Sequence, residues 1–194
     1  MKALFTIDGL HAFELTETDI PALQKFFDAN PEYFVAVNGM PPREDEAWQE
    51  FNDRPPAEMT YDKQLMIAFV DDDGQWLAMA SVLSDFIADS VWHIGLFIVA
   101  TRLHGGGVAS ATCAALEDWM RGNGAQWIRL GVVLGNARAE QFWQKVGYTE
   151  LRQRTGIQTG KLVSTIRVMM KPLCGGSGEV YLELVERDRM ESTS

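Results

Sequence analysis

The segment 91–121 constrains this chain more than any other: an apolar run, VWHIGLFIVA, then TRLHGGGVA, then a helical pattern closing on WMRGNG. The run over 91–100 is rich in β-branched and aromatic residues and is interrupted only by His93 and Gly95, which suits a strand buried on both faces. Gly105, Gly106 and Gly107 have no place inside a strand or a helix, where each would cost about 0.5–1 kcal/mol. They suit a turn whose amides converge at a helix N-terminus, with unpaired donors and the positive dipole end aimed at an anion. On these residues alone two readings stand: a seat for a phosphate-bearing cofactor, or a tight connection that holds nothing.

Charge narrows the choice of ligand. Seventeen Lys and Arg against 27 Asp and Glu, a formal net charge of -10, argue against a surface built for nucleic acid or anionic lipid. The same balance permits a basic, amine-bearing substrate. A length of 194 residues supports one packed domain with at most an appendage. Cys113 and Cys174 lack metal-ligand spacing, and Asp71, Asp72 and Asp73 lack the spacing and closing Glu of a calcium loop, so no metal is expected. With no basic start followed by an apolar leader, and no run long enough to span a bilayer, the expectation is a reduced, cytoplasmic protein without membrane partners.

Along the chain, 11–15 reads as an edge strand and 20–27 as an amphipathic helix with Pro21 in its first turn. Asn30-Pro31 ends that helix. Residues 33–37 read as a short helical turn or a loop, and 44–51 as a second helix with Trp48 inward. A hairpin follows, 65–70 and 76–83 joined by DDDG. After the glycine corner come a helix over 108–121, a strand over 127–134, a helix over 137–146, and an antiparallel pair over 148–154 and 162–170. The segment 175–194 holds one further strand or helix, over 180–185, and an end expected to be loose.

Two spaced signatures add specificity. The corner reads His104-Gly-Gly-Gly107-Val-Ala109, and downstream stand Asn136, Ala139, Phe142-Trp143 and Gly147-Tyr148. On these residues the chain resembles the GCN5-related N-acetyltransferase (GNAT) superfamily, over roughly residues 11–171. Its first signature is Gln or Arg, two residues, Gly, one residue, then Gly or Ala; His104 departs from the usual first position. The resemblance implies an α/β fold: a mixed, V-split central sheet flanked by helices, in a single domain over 1–171, with 172–194 as a partly ordered C-terminal extension.

The same resemblance implies acetyl-coenzyme A (acetyl-CoA) wedged in the split. Backbone groups of Phe97, Ile98 and Val99 would bond the pantetheine arm, and the amides of His104, Gly105, Gly106, Gly107, Val108 and Ala109 would hold the pyrophosphate. Arg102, His104 and Arg138 would add positive charge, and Phe142 belongs with this group. Asn136 either bonds near the cofactor arm or caps the helix behind it.

Acyl transfer to an amine needs a proton acceptor, donors to the developing oxyanion and a proton for the leaving thiolate. His93 is the first candidate base, at a position where some relatives carry a glutamate; the alternative is a satisfied histidine in a sheet. Asp85 is the second. Many relatives have tyrosine where this chain has Trp143, whose indole N–H is a hydrogen-bond donor but not a useful acid at neutral pH. Either another group such as Tyr148 or water then supplies the proton, or the thiolate leaves with hydrogen-bond help only. Cys113 reads as packed rather than nucleophilic.

Residues 33–58, 84–90 and 156–161 would set the acceptor, an amine on a small molecule or peptide, and a homodimer stays open. Three classes stand: an N-acetyltransferase, a cofactor-binding module with little catalysis, and a partner-binding structural domain.

Overall fold

The computed structural model describes residues 2–190. Eight strands form one sheet: β1 (Lys2–Ile7), β2 (Leu10–Glu14), β3 (Gln64–Val70), β4 (Trp76–Leu83), β5 (Val91–Val99), β6 (Trp127–Val133), β7 (Thr149–Thr159) and β8 (Leu162–Pro172), in the spatial order β1-β2-β3-β4-β5-β6-β8-β7. Only β5 and β6 run parallel. The sheet is therefore mixed, as expected, and helices cover both faces.

One face carries α4 (Val108–Gly122) and α5 (Ala137–Lys145). Cys113, Leu116 and Met120 recur at helical spacing along α4 and bury against Trp92, Ile94, Ile128 and Leu130 of the central strands. The other face carries α1 (Ile20–Asp28), α2 (Glu32–Asn38) and α3 (Glu46–Asn52), whose Leu23, Phe27, Phe34 and Ala47 pack on Met66, Met79, Leu96 and Ile98. Two details differ from the sequence reading, and one open alternative is decided. The segment 11–15 is not an edge strand, because Asp8 and Gly9 turn the chain so that β1 takes the edge. Residues 33–37 are helical. Trp48 on α3 is 53% exposed rather than inward, since Glu46 and Ala47 occupy the buried face of that helix.

The C-terminal segment packs onto the sheet. Helix α6 (Gly178–Leu184) and a following 3-10 turn (Glu186–Asp188) lie on the same face as α1 to α3, where Tyr181 and Val185 are fully buried against Val91, Trp127 and Met170. Burying such side chains contributes about 1.5–3 kcal/mol each. The very end of the chain, 191–194, expected to be loose, lies outside the described residues.

Candidate functional site

A bulge opens the sheet. β4 and β5 pair Ser81 with Leu96 but Val82 with Ile94, leaving Gly95 as the extra residue. The bulge bends β5 and restarts its alternation, so that Trp92, Ile94, Phe97 and Val99 all face α4 and α5 while Leu96 and Ile98 face the other layer. β5 and β6 pair only from Val91 to Ile94 against Trp127 to Leu130. Beyond this β6 stays with β8 as far as Val133, and β5 stays with β4 as far as Val99. The edges of Phe97, Ile98 and Val99 that face the gap have no partner strand, which leaves a split between two parallel strands.

The glycine corner stands at the head of the split. Gly105 and Gly107 have φ of 83° and 85°, a left-handed backbone that favours glycine, and Gly107 is the residue from which α4 starts. A Cβ at either position would meet no protein atom within 4 Å. Backbone conformation explains these glycines, and the space above them is open. The amides of Val108 and Ala109 lie in the first turn of α4, where no helical carbonyl reaches them. His104 is fixed from both sides: its Nε2 donates to the Val99 carbonyl at 3.0 Å, and its Nδ1 accepts from Arg138 Nη1. These partners place a ring hydrogen on Nε2 and take up one of the Val99 backbone groups. Arg102 donates to the Trp76 carbonyl at 3.2 Å. Asn136 caps α5, its Oδ1 accepting from Ala139 N at 3.3 Å.

Helix α2 spans the split. At its start, Thr101 N, just past β5, donates to Asn30 Oδ1 at 2.7 Å, and Thr101 Oγ1 donates to Glu32 Oε2 at 2.7 Å. At its end, Lys161 N in the β7–β8 turn donates to the Asn38 carbonyl at 2.9 Å. The two contacts suspend α2 between β5 and the β7–β8 hairpin. That closeness depends on Gly160, where a Cβ would sit 2.6 Å from both Asn38 Cβ and the Asn38 carbonyl oxygen. Below the helix lies a cleft of about 510 Å³ lined by Ala36, the end of β6 through Val133, Gly135, Asn136 and the start of β8 through Ser164.

The sequence-predicted acid–base groups fall elsewhere. His93 faces the α6 side of the sheet, stacked on Phe86 with ring centroids 4.7 Å apart, its Nδ1 3.5 Å from Arg129 Nη1. Burial, and then the Arg129 charge, push its pKa down to about 3. Both influences work against the near-neutral basicity expected of His93. Tyr148 points into the α4 layer, 2% exposed, against Trp143 with centroids 5.0 Å apart and under Lys171. Burial, with Cys113 and Glu117 nearby, holds its phenol well above the usual range. It is a core residue rather than a proton donor to the split. Trp143 is also core, packed on Phe97, Phe142 and Tyr148. Asp85, at φ 48°, accepts from Ser90 N at 2.7 Å and closes the β4–β5 loop. Cys113 is buried, and burial raises its thiol pKa strongly.

Glu50 on α3 was not legible in the sequence, where it is one more carboxylate in an acidic helix. Burial, then Glu46 and Asp53, push its pKa up to about 7. It lies near enough to Tyr33 of α2 to raise the phenol of that residue, after burial.

With this geometry in place, comparison with known proteins is decisive. The sequence pattern of the acetyltransferase (GNAT) family matches residues 21–148. The chain belongs to that family. Solved structures share the GNAT fold. A GCN5-related N-acetyltransferase from Kribbella flavida is 23% identical with a TM-score of 0.60, covering 85% of this chain and 98% of its own. The ribosomal-protein-S18-alanine N-acetyltransferase of Escherichia coli is 16% identical with a TM-score of 0.61, covering 87% and 97%. Spermidine N-acetyltransferase from Vibrio cholerae, solved with CoA and spermine, is 13% identical with a TM-score of 0.66, covering 86% and 97%. No curated protein matches the chain. Among the described residues of this GNAT protein, no helix is long and apolar enough to cross a membrane.

Proposed function

We propose that the protein transfers the acetyl group of acetyl-CoA to a primary amine of a small molecule or peptide, by direct attack within one ternary complex. The observation that carries this reading is the split between β5 and β6 with the Gly105–Gly107 corner and the start of α4 at its head. The residues fit the cofactor. Unpaired strand edges at Phe97 and Ile98 suit the amides of a pantetheine arm, and the first-turn amides of α4, with Arg138 beside them, suit a diphosphate. Bound acetyl-CoA supplies the activated acyl group.

The protein's own residues hold the reactants together and handle protons. Orientation alone is worth up to about 7–11 kcal/mol in a two-substrate reaction. Suspended α2 and the β7–β8 turn give the amine a roofed cleft in which to be held. Glu50 on α3, close enough to Tyr33 of α2 to act on its phenol, is the group we assign to take the proton of the incoming ammonium. Tyr148 is not assigned to the leaving thiolate, because it is enclosed in the core, and Trp143 is a poor acid. That same arrangement favours a second reading, a CoA-binding module with little turnover.

Calorimetry with acetyl-CoA, followed by a thiol-release assay across primary amines, separates the two. Micromolar binding with amine-dependent thiol release supports transfer. Tight binding without release on any amine favours the module, and absence of binding excludes both.

A further inference from the structure

An arginine cluster sits on the α2 side of the sheet in a protein whose net charge is -10. Arg129 on β6, Arg152 and Arg154 on β7, and Arg187 in the C-terminal turn lie close enough to act electrostatically on one another. Three are occupied structurally. Arg129 is bound by Asp188, Arg152 donates to the carbonyls of Arg187 and Arg189 at 2.8 Å each, and Arg187 makes contacts of its own. Arg154 is different: among the described residues it has no hydrogen-bond or ion-pair partner, and it is only partly accessible.

Register fixes where Arg154 stands. It pairs with Ile166 of β8, and Ile166 pairs with Val133 of β6, which lines the cleft beneath α2. Alternation puts Arg154 on the same face as Arg152, whose guanidinium reaches the C-terminal segment, and away from α4 and α5. Burial, and then Arg187, Arg129 and Arg152, disfavour its charge, with Asp188 as the counter-influence. Asp188 is itself committed to Arg129 and Tyr181. A cation on the same face of the sheet as the cleft, two strands from Val133 and without a partner, is compensated when an anion enters.

We infer that Arg154 receives an acidic group, a carboxylate or a phosphate, carried by the amine that is acetylated. The inference rests on the acetyl-transfer reading and narrows its substrate class to amines bearing an anion. A polycation would enter a field of the wrong sign, whatever the overall charge of the protein. The planar guanidinium fork matches either oxyanion by paired hydrogen bonds.

The test is a set of matched acceptors assayed with saturating acetyl-CoA: amino acids against their carboxamides, phosphoethanolamine against ethanolamine, and spermidine. The expected result is a preference of about tenfold or more in kcat/KM for the anionic member of at least one pair, since charge-assisted bonds are about twice as strong as neutral ones. The pair showing it identifies carboxylate or phosphate. Arg154→Ala should bring that ratio to about one while leaving the Kd of acetyl-CoA and the rate on the neutral member unchanged. Arg154→Lys should restore part of the preference. Equal rates within every pair, a preference for spermidine, or a ratio that survives in Arg154→Ala would overturn the inference alone. Failure to bind acetyl-CoA would overturn the acetyl-transfer reading and the inference with it.

Discussion

Arg129 Nε and Nη2 donate to Asp188 Oδ2 and Oδ1 at 2.7 and 2.9 Å, a two-pronged ion pair joining β6 to the C-terminal turn inside the protein. Tyr181 adds its hydroxyl to Asp188 Oδ2 at 2.8 Å. Burial alone would raise the Asp188 carboxyl, but the Arg129 bonds and charge outweigh it and hold the pKa below the ordinary value. Asp188→Asn leaves Arg129 buried without its counter-charge. The expected loss is about 3–5 kcal/mol by urea denaturation at pH 7. A depressed carboxylate pKa stabilises the folded state above the unfolded pKa of 3.8, and this contribution is lost as pH falls through the folded value. The difference between wild type and variant should therefore shrink below pH 3.8; a difference constant down to pH 2 contradicts the assignment.

Gly107→Ala tests the cofactor corner. The φ of 85° costs an alanine about 1–2 kcal/mol, and no protein atom lies within 4 Å to be displaced. A Tm drop of about 2–4 °C per kcal/mol is expected for a chain of this size. Since the open space above Gly107 is where a diphosphate would approach, acetyl-CoA affinity should also fall, by about tenfold, measured by calorimetry. Unchanged affinity would place the diphosphate elsewhere.

Gly160→Ala tests the roof. An added methyl 2.6 Å from the Asn38 carbonyl must push α2 and the β7–β8 turn apart. The expected outcome is a raised KM for the amine with acetyl-CoA affinity retained, read from two-substrate kinetics. An unchanged KM for the amine argues that α2 does not border the acceptor.

His93 and Glu50 make opposite predictions. His93→Gln should leave turnover within about threefold between pH 6 and 9, because a group with pKa about 3 does not change charge there. Glu50→Gln should lower turnover about 100-fold at pH 8. The stability effect has a definite sign. A carboxyl raised from 4.5 to about 7 in the folded state binds more protons there than when unfolded, so its contribution is lost as pH rises through that window. Glu50→Gln should therefore raise Tm at pH 8, by about 2–4 °C for each kcal/mol, and leave it nearly unchanged at pH 4. Tm values that respond equally at both pH values would remove Glu50 from this role.

Much of the frame was legible in the chain. The glycine corner, the flanking strand and helix, and the Asn136-to-Tyr148 spacing are local patterns, and local backbone preference dictates them. Gly95 is instructive: in the sequence it interrupts an apolar run, and in the fold it is the bulge that parts β5 from β6. Trp48 is the converse. Its helix was readable, but its outward direction depends on what α1 offers opposite, and neighbouring carboxylates and apolar residues compete for that side.

The sequence by itself determined the order of strands and helices from β3 to β8, the positive-φ corner at Gly107 and the family signatures, because periodicity and backbone sterics act over a few residues. Only the tertiary structure decided the protonation chemistry. Burial, and then Arg129, 36 positions away, lower the basicity of His93, and Arg129 is held by Asp188, 59 positions away. Whether Glu50 is near neutrality and whether Arg154 is left with an uncompensated charge are likewise set by desolvation and by charges from distant segments. Those quantities depend on distance in space, and no spacing along the chain records them.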